Sequence, residues 1–246
     1  MPSTFPQCTF QDFGKLAVTF FPPLMSNENL NDSCQKLLHF QNAWQAVRYR
    51  YRTCSEQNET FKMLFTNSMD CDLWREWTEG EDHNFKLEQC LYNFFTNALS
   101  VFESLGFCLY FVGAMINAKN FPKVTSPKDI TLKTTRTVFT KAFPNASVTV
   151  HLKELLENPD FMRIDEIRNI QAHRVIGRRN IRSFGTTLSD GKNTLKKEEL
   201  WYLPGVKEKL TFNEELTQIH FNNISRMLKI LVLASLEFVR LEKGEV

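Results

Sequence analysis

The chain has 246 residues, with 30 Lys and Arg against 28 Asp and Glu and a formal net charge of +2. That length supports a substantial apolar core without a disulfide scaffold. The near balance of charge excludes a polycation that holds nucleic acid through its overall field, so any such affinity has to come from a local patch.

Residues 1–27 hold five Phe and four Pro, including Pro22-Pro23, which predicts an extended arm laid over the body or over a partner. From about Asn29 to Phe65 the positions Leu30, Leu37, Leu38, Ala43, Trp44, Val47 and Tyr51 predict a long amphipathic helix, with Asn27 or Asn29 as its N-cap. Within it, Val47-Arg48-Tyr49-Arg50-Tyr51-Arg52 interleaves basic and aromatic residues. Such a run can stack and neutralise a single strand, but on a helix its members point in several directions and divide between surface and core.

The polar stretch Thr78 to Asn84 reads as a linker. Beyond it Leu91, Phe94, Phe95, Ala98, Phe102, Leu105 and Leu109 recur at steps of three and four, predicting a helix from about Phe85 to Asn117. Pro122 and Pro127 close it, and Ser126 or Asp129 is expected to cap a shorter helix reaching about Ala142. After the Pro144-Asn145 turn, a helix from about Val150 to Glu157 stops at Asn158-Pro159, where Asn caps and Pro opens the next helix, about Asp160 to Val175. Residues 177–205 carry four glycines around Ser189-Asp190-Gly191-Lys192 and read as a loop or small hairpin insertion. A final helix from about Asn213 to Leu241, capped by Thr211 or Asn213, ends at Lys243-Gly244. The expectation is a single all-α domain over 1–246, a bundle of four to five long helices with one irregular insertion.

The most apolar segments, Phe107 to Ala118 and Ile230 to Val239, fall short of the roughly 20 residues of a membrane span, so no membrane partner is expected. The amino-terminal residues combine neither a basic region nor a continuous apolar run, so the expected location is cytoplasmic. The six cysteines, Cys8, Cys34, Cys54, Cys71, Cys90 and Cys108, form no Cys-x-x-Cys pair and read as reduced, partly buried thiols. His39, His83, His151 and His220 lack ligand spacing, and no phosphate-cradling or dinucleotide glycine motif occurs, so neither a metal nor a cofactor is expected.

The chemistry concentrates in Arg168-Asn169-Ile170-Gln171-Ala172-His173. An arginine can hold a phosphate, and a histidine can move a proton near neutral pH. On a helix Asn169 and His173 share a face, while Arg168 and His173 differ by roughly 140° about the axis. Between Arg163 and Arg182, six arginines face only Asp165 and Glu166, a local charge of +4. Arg174, Arg178, Arg179 and Arg182 can therefore guide RNA by phosphate contacts or form a solvated loop. The same hexapeptide also suits an ordinary helix end, with Arg168 paired to Asp165 or Glu166 and His173 favoured by the dipole.

The segment Ile167 to His173 resembles the signature of the HEPN superfamily, an Arg, a polar residue and a His a few positions on. The helix containing Leu91-Tyr92-Asn93-Phe94-Phe95-Thr96-Asn97-Ala98-Leu99 is similar to the family's preceding long helix. The resemblance covers about residues 30 to 175 and the last helix. It implies a HEPN-like helical bundle, a homodimer formed through the motif helices, and RNA binding with metal-independent endoribonuclease activity in toxin or defence-like settings. By position, Arg168 and His173 would form the catalytic pair and Asn169 would support them. Many relatives of this fold are not catalytic. A non-catalytic helical interaction module, or a nucleotide-binding helical protein, is the alternative.

Overall fold

The computed structural model describes residues 14–15, 30–69, 77–122, 126–172, 178–187, 193–202, 210–211, 213 and 215–244. Helices dominate them: α1 (Leu30–Met69), α2 (Trp77–Ile116), α3 (Leu132–Ala142), α4 (Ser147–Glu157), α5 (Pro159–Ala172) and α6 (Leu216–Lys243). Among the described residues, strands occur only in the insertion, as β1 (Arg178–Thr187), β2 (Asn193–Tyr202) and β3 (Leu210–Thr211). The all-α expectation therefore describes the body of the protein, and the small hairpin appears where the glycine-rich excursion was read. β1 and β2 pair antiparallel over ten positions, from Arg178 opposite Tyr202 to Thr187 opposite Asn193. β3 adds antiparallel to β2, so the insertion extends beyond Gly205.

The chain divides into two compact units. The first comprises residues 1–52, 97–162 and 222–246, and its interior is aromatic. Phe121 meets Tyr110 edge-on at 5.2 Å and Phe139 at 5.5 Å, and Phe139 in turn meets Phe238 at 5.6 Å. Each such ring contributes about 1.5–3 kcal/mol through burial, with a further increment from the edge-to-face geometry. Two glycines of α2 allow close approach. A Cβ at Gly106 would stand 3.0 Å from the Leu132 backbone, and one at Gly113 would stand 2.2 Å from the Phe121 ring. Thr135 donates from Oγ1 to the Gly106 carbonyl at 3.0 Å, and Tyr110 donates to the Pro122 carbonyl at 2.6 Å. In the amino-terminal arm, Gly14 lies so close to Trp44 that a Cβ would meet Nε1 at 2.8 Å. The arm thus lies against the body at that point, but Gly14-Lys15 is helical and not extended as expected; the rest of its course, and the Asn27 and Asn29 caps, lie outside the described residues.

The second unit comprises residues 53–96 and 163–221. Its core includes Phe61, Phe65, Leu87, Leu91, Phe94, Phe95, Ile164 and Ile167, all buried. Asn58, also buried, donates from Nδ2 to Gln218 Oε1 at 3.0 Å, and Lys62 Nζ donates to the same oxygen. These bonds satisfy Asn58 Nδ2 and Gln218 Oε1, while the buried Asn58 Oδ1 has no partner among the described residues.

Three local expectations need correction. Thr78 to Asn84 is not a linker but the opening of α2. Neither Ser126 nor Asp129 caps α3; Thr131 does, accepting from the Thr134 amide at 3.1 Å, whereas Ser126 accepts from the Lys128 amide at the preceding 3-10 turn. Finally, Asp82–Ile116 is long and apolar enough to cross a membrane, a longer stretch than the Phe107 to Ala118 segment singled out from sequence; 67% of its most apolar window is buried inside the protein, the pattern of a core helix. Gly244 ends α6 as expected, with a φ of 71° and its amide donating to the Leu241 carbonyl at 3.0 Å.

Candidate functional site

Helix α5 carries the Arg168 motif, and its start is locally determined. The Asn158 Oδ1 accepts from the amides of Asp160 at 2.9 Å and Phe161 at 3.3 Å, and Pro159 takes the first helical position. This is the Asn-Pro start expected from sequence. In the second unit, Ile164, Ile167 and Gln171 recur at three and four residues and are buried, which fixes the rotation of the helix.

Arg168 and Asn169 lie beside that buried stripe and are half-buried. Arg168 donates from a terminal guanidinium nitrogen to Asn169 Oδ1 at 2.9 Å. Asn169 donates from Nδ2 to Asp165 Oδ1 at 3.0 Å, one turn back. The amide is thereby oriented at both ends, oxygen toward the arginine and nitrogen toward the carboxylate. Asp165 reaches Arg168 through Asn169; among the described residues, no direct ion pair joins Arg168 to Asp165 or Glu166. The guanidinium keeps donors beyond the one bonded to Asn169, and a planar fork suits the oxygens of a phosphate.

The structure joins Arg168 and Asn169 by a hydrogen bond. His173 and Arg174 lie outside the described residues. His173 follows the last described residue of α5, Ala172, by one position. Arg178, Arg179 and Arg182 stand on β1, at register positions opposite Tyr202, Trp201 and Glu198. They belong to a strand and not to a loop. One residue joined to the site was not nominated from sequence: Asp165 anchors Asn169, a role signalled by their four-residue spacing.

The other chemistry-bearing side chains have structural roles. Arg50 donates to the Ser100 carbonyl and to Ser104 Oγ, each at 2.9 Å, while Val47 is buried and Tyr49 exposed. The basic-aromatic run is therefore split between core and surface. Among the four described cysteines, Cys34 is exposed and Cys54, Cys90 and Cys108 are buried without a disulfide. Burial pushes the Cys90 thiol up to about 12 and raises those of Cys54 and Cys108, so these three are not ready nucleophiles. His39 stacks on Phe111 at 4.8 Å, His220 meets Phe95 edge-on at 5.2 Å, and His151 Nδ1 bonds Glu154 at 2.7 Å. No cluster of three or more metal-ligating side chains occurs among the described residues. In comparison with known proteins, no family model, no curated protein and no solved structure matches the chain.

Proposed function

We propose that this protein is a HEPN-type RNA-binding protein and cleaves RNA with Arg168 and His173, using no metal. The observation that carries the reading is the hydrogen-bonded series from Arg168 through Asn169 to Asp165, which orients an arginine at the helix end that leads into His173. The neutral imidazole of His173 removes the proton of an RNA 2′-hydroxyl. The 2′-oxygen bonds to the adjacent phosphorus as the bond from phosphorus to the 5′-oxygen breaks, and the leaving oxygen takes a proton from water. Arg168 stabilises the negative charge that develops on the non-bridging oxygens. Asn169 is a positioning residue in this scheme. Arg178, Arg179 and Arg182, with Arg174, supply the basic approach, and their contribution weakens as salt is raised.

The test compares wild type, Arg168→Ala and His173→Ala on single-stranded RNA in EDTA. The expected result is cleavage by wild type and a loss of about a hundredfold or more in each variant. Equal activity in all three, or cleavage only when a divalent metal is restored, overturns the reading.

A further inference from the structure

Most of α6 buries its apolar residues, but within the first unit Ile230, Leu233 and Leu241 are 43%, 44% and 57% exposed. With Arg226 and Glu237 they fall within about 80° around the helix, at 100° per residue. The five form a continuous outward stripe about 22 Å long, measured at 1.5 Å per residue. Arg226 carries a positive charge near one end and Glu237 a negative charge toward the other. Arg226 and Glu237 lie equally far from the midpoint between Leu231 and Val232. So do Ile230 and Leu233.

We propose that this stripe is a self-association surface, occupied by α6 of a second copy running antiparallel about a two-fold axis at that midpoint. In that pairing Arg226 of each copy meets Glu237 of the other, and Ile230 meets Leu233. A single helix face then supplies both halves of an isologous interface, apolar at the centre and charged at its flanks. An unrelated partner would place no such requirement on the spacing. The charges have capacity for the added contact. Arg226 already bonds Asp160 at 3.1 Å, with side chains 62% and 39% exposed, and Glu237 accepts from Ser147 Oγ at 2.8 Å through one of its two oxygens. Both groups reach the surface, and a guanidinium or carboxylate can serve two partners. The pairing does not depend on the ribonuclease reading, and it takes the place of the association through α5 that the family resemblance implies.

Sedimentation velocity on the full chain over a dilution series tests it. Wild type is expected to be a dimer, and Leu233→Asp a monomer with unchanged helical circular dichroism. Arg226→Glu and Glu237→Arg are each expected to weaken dimerisation by about tenfold or more. Combining them exchanges the charges across the axis and restores most of the lost affinity. Asp160→Asn and Ser147→Ala, which alter only the contacts within one chain, leave the dimer intact. A wild type that stays monomeric at every concentration overturns the proposal. So does a Leu233→Asp chain that still dimerises, or a double variant no tighter than its single parents. Should Leu233→Asp unfold, the charge-exchange series decides alone.

Discussion

Gly113→Ala places a methyl group where the protein has Phe121. An ideal Cβ at residue 113 lies 2.2, 2.6 and 2.8 Å from three atoms of the Phe121 ring. All three are inside the separation that real contacts tolerate. The ring has little room to retreat, because it is buried and packs against Tyr110, Phe139 and Phe143 at 5.2, 5.5 and 6.1 Å. Relieving the clash displaces a core aromatic, an overpacking penalty of about 1–3 kcal/mol. Alanine recovers roughly 0.8–1 kcal/mol of helix propensity. With three ring atoms inside 3.0 Å the penalty falls at the upper end of that range, so the expected net effect is a destabilisation of about 2 kcal/mol, which lowers Tm by roughly 4–8 °C in a chain of this size. Thermal and urea unfolding of Gly113→Ala, Phe121→Leu and the double variant measure it. In the Phe121→Leu background the alanine should be neutral or stabilising, since the ring atoms it meets are gone. A Gly113→Ala chain as stable as wild type would refute the close packing of α2 on Phe121.

Asn158→Ala removes the side chain that caps α5 and should destabilise the protein by about 1 kcal/mol in urea unfolding, as Thr131→Ala should through α3. With Cys8 and Cys71 replaced by Ser, a maleimide at neutral pH should label Cys34 in the folded protein and reach Cys54, Cys90 and Cys108 only after denaturation. Those three thiols have raised pKa values, so the folded chain keeps protons that the unfolded chain loses above roughly pH 8.5. Their contribution to stability is complete below that pH and declines as it rises, so the urea midpoint should fall between pH 8 and pH 10, and by less in a Cys90→Ala variant. Within the ribonuclease reading, Asp165→Ala should lower turnover about tenfold with RNA binding retained, while Asp165→Asn, which keeps an acceptor for Asn169, should recover most of it.

The long helices were legible because burial imposes a period of three to four. The residues Leu91, Phe94, Phe95, Ala98, Phe102 and Leu105 that marked α2 in sequence are all buried. The hairpin was legible through the polar turn residues between two stretches of strand length. Less visible was the start of α2, since Gly80 and the acids around it read equally well as a linker or a favourable first turn. The cap of α3 was ambiguous for a related reason. Ser126, Asp129 and Thr131 lie within six positions and all can accept an amide, so the backbone at Thr131 decides. Close approaches such as Gly113 to Phe121 depend on tertiary placement and leave no periodic trace. At the motif, the pairing of Arg168 with Asn169 follows from adjacency. The anchoring of Asn169 by Asp165, in place of a direct ion pair to Arg168, required the rotamers.

The most direct measurement is the chemistry of the ends that the protein leaves on RNA. A defined single-stranded oligoribonucleotide is incubated in EDTA, and the products are weighed by mass spectrometry beside a substrate carrying 2′-deoxyribose at the cut position. Attack by the 2′-oxygen, with His173 as base and Arg168 on the phosphate, should leave a 2′,3′-cyclic phosphate and a 5′-hydroxyl, and the deoxy-substituted linkage should resist. Ends bearing a 3′-hydroxyl and a 5′-phosphate, or equal cleavage of the deoxy-substituted linkage, would contradict it.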